Sequence, residues 1–124
     1  MFSFEGIDHV QLAAPADCEK EARLFYGGIL GMEELPKPES LSPSGCWFRC
    51  GNQEIHIGVE EFFSPAKKAH PALVVANLDE LEQHLSKNGV KIKADKPIAG
   101  RKRFFINDPF GNRVEFLEFI TVEK

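Results

Sequence analysis

The 124-residue sequence has little of what secreted, membrane-spanning or nucleic-acid-binding proteins contain in quantity. Its three cysteines are an odd number, which argues against a fully paired disulfide framework and favours a reducing compartment. No apolar run is long enough to cross a bilayer. Residues 1–5 lack the basic start and apolar stretch of a signal peptide. We therefore expect a cytoplasmic protein.

The sequence also has no large excess of one charge, since its formal net charge is −4. A net negative charge argues against a general nucleic-acid binder. Trp and Tyr occur once each, whereas Phe occurs 11 times, a bias that builds a core without naming a partner. With 43% hydrophobic and 27% charged residues, the composition excludes a disordered chain. The length suits one domain with a sizeable core.

The cysteines offer no disulfide. Cys46 and Cys50 fall on one face of a predicted strand, where four residues span roughly 13 Å, too far for a sulfur–sulfur bond. We interpret these two and Cys18 as small buried hydrophobes.

What the sequence does contain is the same succession of predicted elements twice: strand, helix, strand, strand, strand. The first helix follows Pro15 and closes at Gly31, and the second begins at Asn77, with Glu80 completing a capping box, and ends at Gly89. The predicted strands cover residues 6–13, 32–35, 46–50 and 53–59 in the first half, and 70–76, 91–94, 101–107 and 113–120 in the second.

Matched residues support an internal repeat. His9 and His70 both lie on the first strand of a half, 61 positions apart, and His56 and Glu115 both lie on the last strand, 59 positions apart. Such similar offsets imply two copies of one module, related by a pseudo-two-fold axis. We expect a single domain with module one at about 4–60, a linker at 61–68 and module two at about 69–122.

Glu115 occupies an unusual position for a carboxylate. The loop Asp108-Pro109-Phe110-Gly111-Asn112 reads as a hairpin turn, so the following strand places Arg113, Glu115, Leu117 and Phe119 on one face. A mid-strand carboxylate among apolar residues is costly unless it is paired or bound to a cation.

The four repeat-equivalent positions carry ligand-type side chains: His9, His56, His70 and Glu115. Imidazole and carboxylate together suit Zn, Ni, Mn or Fe. Four protein ligands leave open positions on a five- or six-coordinate ion, as a catalytic metal requires. The sequence therefore predicts a divalent metal site.

Three segments resemble the glyoxalase/bleomycin resistance/dioxygenase superfamily, also called vicinal oxygen chelate proteins. They are Ile7-Asp8-His9-Val10, Phe25-Tyr26 with Ile29-Leu30-Gly31-Met32, and Asp108 to Phe116. The resemblance implies an α+β fold of two tandem βαβββ modules, forming a cupped eight-stranded mixed sheet around a divalent metal. It assigns the metal ligands to His9, His56, His70 and Glu115. It also implies a homodimer in which His9 and His56 share the metal with His70 and Glu115 of the second chain.

The resemblance leaves the reaction open. A metal-dependent enzyme with lyase or isomerase chemistry on a small substrate with vicinal oxygens is favoured, with Glu115 or His56 moving the proton. Glyoxalase I usually has Glu where this chain has His56. An Fe(II) extradiol dioxygenase would use two His and one Glu, although such enzymes usually carry two domains in one chain. A metal-free antibiotic-binding protein of the bleomycin resistance type is the third hypothesis.

Other polar residues carry two interpretations each. His56 is either a ligand or a hydrogen-bond partner of Glu54 or Gln11, and Gln11 is also a candidate for substrate binding. Arg103 and Arg113 could each hold a substrate carboxylate or phosphate, although ordinary ion pairs are favoured. Trp47 could line the pocket or pack in a core or interface. His84, on the second helix, is predicted to be solvated.

Overall fold

A computed structural model describes residues 1–121 of the chain. It contains two successive α+β units, Met1–Ser64 and the part from Pro65 onward, each with its own sheet. The first unit contains β1 (His9–Ala14), α1 (Glu19–Ala22) continued by a π-helical segment (Arg23–Ile29), β2 (Glu34–Leu35), β3 (Cys46–Cys50) and β4 (Gln53–Val59). The second contains β5 (Ala72–Val74), α2 (Leu78–Lys87), β6 (Arg101–Asn107) and β7 (Arg113–Phe119).

Both sheets place the first strand of the unit beside its last. In the first unit the order is β1-β4-β3-β2, with β1 and β4 parallel and the other pairs antiparallel. In the second the order is β5-β7-β6, with β5 parallel to β7. The predicted α+β class and mixed strand directions are confirmed.

The strand predicted at 91–94 is reduced to a single bridge, so within residues 1–121 the sheets have four and three strands rather than eight in all. Lys93 exchanges two backbone hydrogen bonds of 2.8 Å with Phe105. Two residues later the Asp95 carboxylate accepts the Lys96 N–H, and Pro97, which has no N–H to donate, follows. The local bond and the proline end the pairing.

The first helix packs its apolar side against β3. Phe25 and Tyr26 are buried, and the Tyr26 ring lies 5.7 Å from that of Phe48. The predicted helix start was placed too early, because Asp17 has φ +63° and the first helical residue is Glu19. From Arg23 onward the helix has π geometry, and this segment contains Gly27 and Gly28, two residues of low helix propensity.

The cysteine prediction is confirmed: Cys18, Cys46 and Cys50 are all free thiols. Cys18 and Cys46 are buried, and Cys50 is half-buried. Burial, together with the neighbouring Glu19 carboxylate, raises the pKa of Cys18 to about 11. Cys18 and Cys46 are therefore core residues, as predicted, whereas Cys50 is not fully buried.

The start of α2 differs from its prediction. Asn77 does precede the helix, but it has φ +61° and its side chain makes no capping hydrogen bond. Instead, the Glu118 carboxylate on β7 accepts hydrogen bonds from the N–H groups of Asn77 and Leu78, each at 3.1 Å. The predicted end is confirmed, since Gly89 has φ +77° and its N–H donates to the Ser86 carbonyl.

The predicted hairpin loop between β6 and β7 is confirmed and is tied together by Asp108. One oxygen of its carboxylate accepts the N–H groups of Phe110 and Asn112, and the other accepts the Asn112 side-chain amide. The Asn112 side-chain oxygen accepts the Ala66 N–H at 3.1 Å, and the Arg113 N–H donates to the Ala66 carbonyl. This loop therefore fastens the first residues of the second unit to β7.

None of the helices in residues 1–121 combines the length and the apolar character needed to cross a membrane.

Candidate functional site

The four predicted ligands lie as two pairs, one in each unit. In the first unit the His9 and His56 rings stack at 4.0 Å between centroids and 13° between planes. The indole of Trp47 stacks on the other face of His56, also at 4.0 Å and at 7°. Because Trp47 and His56 are directly opposite on β3 and β4, the strand register itself brings their rings together. His56 is thus held between two rings and is only 4% exposed.

Carboxylates orient both imidazoles of this pair. His9 Nδ1 lies 2.8 Å from Asp8 Oδ2. Since a carboxylate only accepts, Nδ1 donates this hydrogen bond, and in the neutral ring Nε2 carries the lone pair. His56 Nε2 lies 2.9 Å from Glu54 Oε1, so here Nε2 is the nitrogen engaged in the hydrogen bond. The contact with Glu54 that the sequence offered as the alternative to metal binding is therefore present.

Gln11 lies on the same face of the sheet, opposite His56 in the parallel pair of β1 and β4. Its side chain covers Gly58, where an added Cβ would come within 2.7 Å of Gln11 Nε2. Glycine at position 58 therefore leaves the room that the Gln11 amide occupies.

The second unit brings His70 and Glu115 together. His70 Nε2 lies 2.9 Å from Glu115 Oε1, and His70 Nδ1 donates to the Lys68 carbonyl at 2.9 Å. His70 lies just before β5, whose Ala72 is the register partner of Glu115. The backbone contact fixes the ring so that Nε2 points at the carboxylate.

Arg103 is the second partner of Glu115. Its Nη1 lies 3.6 Å from Glu115 Oε2, and the two side chains are only 12% and 8% exposed. Its Nη2 donates to the Lys96 carbonyl at 2.7 Å. The mid-strand carboxylate is therefore stabilised by a histidine on one oxygen and an arginine on the other.

No group of three or more His, Cys, Asp or Glu side chains capable of holding a metal ion occurs within residues 1–121. Each unit instead supplies two donors of the N and O type that Zn, Ni, Mn and Fe accept. His70 and Glu115 already converge on one point, and His9 presents Nε2, so the donor chemistry fits such an ion.

Several neighbours of the pairs were outside the predicted site. Asp8 and Glu54 hold the two histidines of the first unit, and Phe105 lies edge-on to His70 at 5.0 Å. Of these neighbours, the sequence had indicated only Glu54, two residues before His56 on the same strand face, and as an alternative to metal binding. His84 is exposed on α2, as predicted.

Comparison with known proteins shows the family of the chain. Residues 6–116 match the model of the Glyoxalase/Bleomycin resistance protein/Dioxygenase superfamily. The chain is similar to a glyoxalase family protein from Bacillus anthracis, with 56% identity over 97% of this chain and 99% of that one and a TM-score of 0.93. No curated protein sequence matches.

More distant crystal structures share the fold. A lactoylglutathione lyase from Agrobacterium tumefaciens is 23% identical over 93% of this chain and 94% of that one, with a TM-score of 0.74. The fosfomycin resistance protein FosX from Listeria monocytogenes is 17% identical over 98% and 97%, with a TM-score of 0.72.

Proposed function

Because the chain belongs to the Glyoxalase/Bleomycin resistance protein/Dioxygenase superfamily, we propose that it is a metal-dependent enzyme acting on a small substrate with vicinal oxygens. The observation that carries the proposal is the His70–Glu115 pair. An imidazole Nε2 and a carboxylate oxygen lie 2.9 Å apart, and both are held by further contacts with Lys68 and Arg103. Paired donors with fixed outer contacts are typical of metal ligands.

The ligands of the ion would be His70, Glu115 and His9. His9 fits because Asp8 holds its Nδ1 and leaves Nε2 as the donor. His56 is the fourth candidate, and to bind through Nε2 it would first release Glu54. A divalent ion in this position would act as a Lewis acid on two adjacent substrate oxygens.

The chain's own residues suit proton transfer of the lyase or isomerase type. Glu115 and His56 are the proposed proton carriers, since each is buried and hydrogen-bonded to a second titratable group. The stack of His9, His56 and Trp47 keeps the His56 ring in one plane, so its proton would move along the line to Glu54. Gln11 and Trp47 would contact the substrate from one face of the first unit's sheet, and Arg103 would act through its contact with Glu115.

One observation favours a second function. If His56 stays bound to Glu54, the remaining ligands are two histidines and one carboxylate. That set with open positions is typical of Fe(II) oxygenases. An extradiol-type dioxygenase is therefore the second candidate.

The proposed assembly is a cytoplasmic homodimer. His9 and His56 of one chain would share an ion with His70 and Glu115 of the other. Such sharing is supported by the division of the donors into two pairs, each confined to its own unit.

Metal content tests the proposal directly. Protein purified without chelator should contain about one divalent ion per chain, and His70→Ala should remove it. His84→Ala, which changes the exposed helical histidine, is the matched control and should keep the ion. Protein that is metal-free and also fails to bind Zn, Ni, Mn or Fe(II) on titration would leave a metal-free binding protein as the function.

Reconstitution then separates the two enzyme classes. Apoprotein loaded separately with Ni, Zn, Mn or Fe(II) is assayed with α-ketoaldehyde hemithioacetals and with catechols, with and without oxygen. Lyase or isomerase chemistry predicts oxygen-independent turnover with a redox-silent ion. Turnover confined to Fe(II), catechols and oxygen would establish the dioxygenase instead.

A further inference from the structure

A cleft of about 660 Å³ opens in the second unit beside the β6–β7 hairpin loop. Four of its lining residues are charged, namely Lys67, Lys93, Arg113 and Asp95, and Phe105 and Asn107 form its floor. Three cations against one anion make the cleft locally basic, although the whole chain has a net charge of −4. We propose that this cleft is an oxyanion subsite that binds a phosphate, phosphonate or carboxylate group of the substrate.

Arg113 is the best-positioned cation of the cleft. Its Cζ lies 3.9 Å over the centre of the Phe105 ring, and its Nη2 lies 3.2 Å from Asp95 Oδ2. These two contacts hold the guanidinium plane in place. Among residues 1–121 only Asp95 forms a hydrogen bond or ion pair with the guanidinium, so further N–H groups are left for a ligand. A pre-oriented guanidinium binds an oxyanion with little loss of side-chain entropy.

The lysines are brought to the cleft by backbone contacts. Lys93 faces Phe105 across the two-bond bridge, so both side chains point to the same side of the sheet. Lys67 follows Ala66, which is fastened to Asn112 and Arg113. Gly111, at φ +92°, allows Pro65 to lie against the loop, because an added Cβ would already be 3.3 Å from the proline ring.

The cleft lies on the same sheet face as the metal-type pair. Phe105 is the register partner of Glu115, and Arg113 precedes Glu115 by two residues on β7, which is roughly 7 Å along a strand. The Phe105 ring contacts His70 on one side and Arg113 on another. One small molecule could therefore present vicinal oxygens near Glu115 and an anionic group to Arg113.

This inference rests on the proposed function for the identity of the ligand as substrate, but its test requires no metal. The full-length, metal-free chain is titrated at constant ionic strength with inorganic phosphate and, separately, with acetate, and backbone amide shifts are followed by NMR. Saturable shifts are expected at Lys93, Asn107 and Arg113. Stronger binding of phosphate indicates a phosphate or phosphonate group, and stronger binding of acetate indicates a carboxylate.

Charge-matched variants locate the site. Lys93→Gln and Arg113→Gln should each weaken binding of the anion about tenfold, the effect of one charge-assisted hydrogen bond. Lys102→Gln removes the same charge from the opposite face of β6 and should change nothing. Lys93 is exposed, so its variant remains informative if Arg113→Gln fails to fold.

Two results would overturn the subsite. One is the absence of saturable binding of either anion. The other is a Lys102→Gln variant that weakens anion binding as much as Lys93→Gln and Arg113→Gln do, which would mean that the anion responds to the overall charge and not to a defined site. Both leave the metal analysis untouched. A chain that binds anions but no metal would keep this subsite and refute the proposed enzyme.

Discussion

At the scale of single residues, His56 and His70 are held in different ways. His56 lies between two aromatic rings and gives its Nε2 to Glu54, whereas His70 is fixed through Nδ1 by a backbone carbonyl. The first arrangement fixes the plane of the ring, and the second fixes the direction of Nε2. Only His70 is therefore aimed at a carboxylate that is itself a predicted ligand, and this difference makes it the residue on which metal binding should depend most.

Replacement by alanine is expected to lower stability to different extents at two glycines of the first unit. Gly45 is buried with φ +84°, and an added Cβ would overlap the Ile57 carbonyl oxygen, which belongs to a strand and cannot withdraw. Gly45→Ala should lower the free energy of unfolding by about 2 kcal/mol or more. Gly58→Ala meets only the exposed Gln11 side chain, which can swing away, and should cost less than about 1 kcal/mol.

Urea unfolding of the two variants and the wild type measures both effects. The comparison is matched, since each variant adds one methyl group to the same unit. Equal losses of stability in both variants would contradict the assignment of the Gly45 clash to the backbone.

Residue roles could be predicted from the sequence only where they depend on alternation along one strand. That rule placed His56 and Glu54 on one face and Glu115 among apolar residues, as found. For Arg103 the sequence allowed a substrate contact or an ion pair. The structure shows an ion pair with Glu115, a partner that could not be named because the register of β6 against β7 cannot be read from either strand alone. Whether the four predicted ligands bind an ion stays a prediction.

At the scale of elements, α2 shows a local pattern overruled by a distant residue. Asn77 followed by Glu80 is a common helix start, but Asn77 adopts a left-handed conformation and Glu118 accepts the N-terminal N–H groups from 40 residues away. The sequence contains Glu118, but only the pairing of β7 with β5 brings it to the helix. The helix itself was predictable because Leu78 and Leu85 repeat at helical spacing and are buried.

The Glu118 cap predicts a pH dependence of stability. Hydrogen bonds from the N–H groups of Leu78 and Asn77 lower the pKa of Glu118 below its usual 4.5. A lowered folded-state pKa means that the stabilisation is complete above pH 4.5 and is lost as the pH falls through the folded-state value. The wild type should therefore lose stability more steeply on acidification than Glu118→Gln, which has no carboxylate to protonate.

Chemical unfolding from pH 7 down through the acidic limb gives this slope. Glu82→Gln removes the same charge from the exposed part of α2 and should follow the wild-type slope. If Glu118→Gln follows it too, the carboxylate does not stabilise the helix start.

At the scale of the whole molecule, the internal repeat was the most informative feature of the sequence. The matched histidines and glycines predicted two modules of similar order, and each unit does pair its first strand with its last. The strand predicted at 91–94 is reduced to one bridge, because the Asp95 hydrogen bond and Pro97 interrupt its pairing with β6. A side-chain hydrogen bond to the local backbone and a proline thus override a short strand-like pattern.

Sharing of the site between two chains predicts complementation. His9→Ala chains and Glu115→Ala chains should each fail to retain the ion. When the two are mixed and refolded together, heterodimers should regain one intact site, because the undamaged half of each chain meets the undamaged half of the other. Metal content of the isolated heterodimer, with native mass to verify the dimer, measures the recovery.

An ion held entirely within one chain gives a different outcome. Every chain in the mixture would then carry a damaged site, and the heterodimer would contain no more metal than either parent.

The parallel pairing of first and last strands also determines when each sheet can form during synthesis on the ribosome. Neither sheet can close until its final strand has been made, so nascent β1 must wait for β4 and nascent β5 for β7. Because β4 ends at Val59, the first sheet has all its strands before any strand of the second unit has been made. The first unit can therefore assemble while the second is being translated, whereas the second sheet cannot close before the segment Arg113–Phe119 has been made.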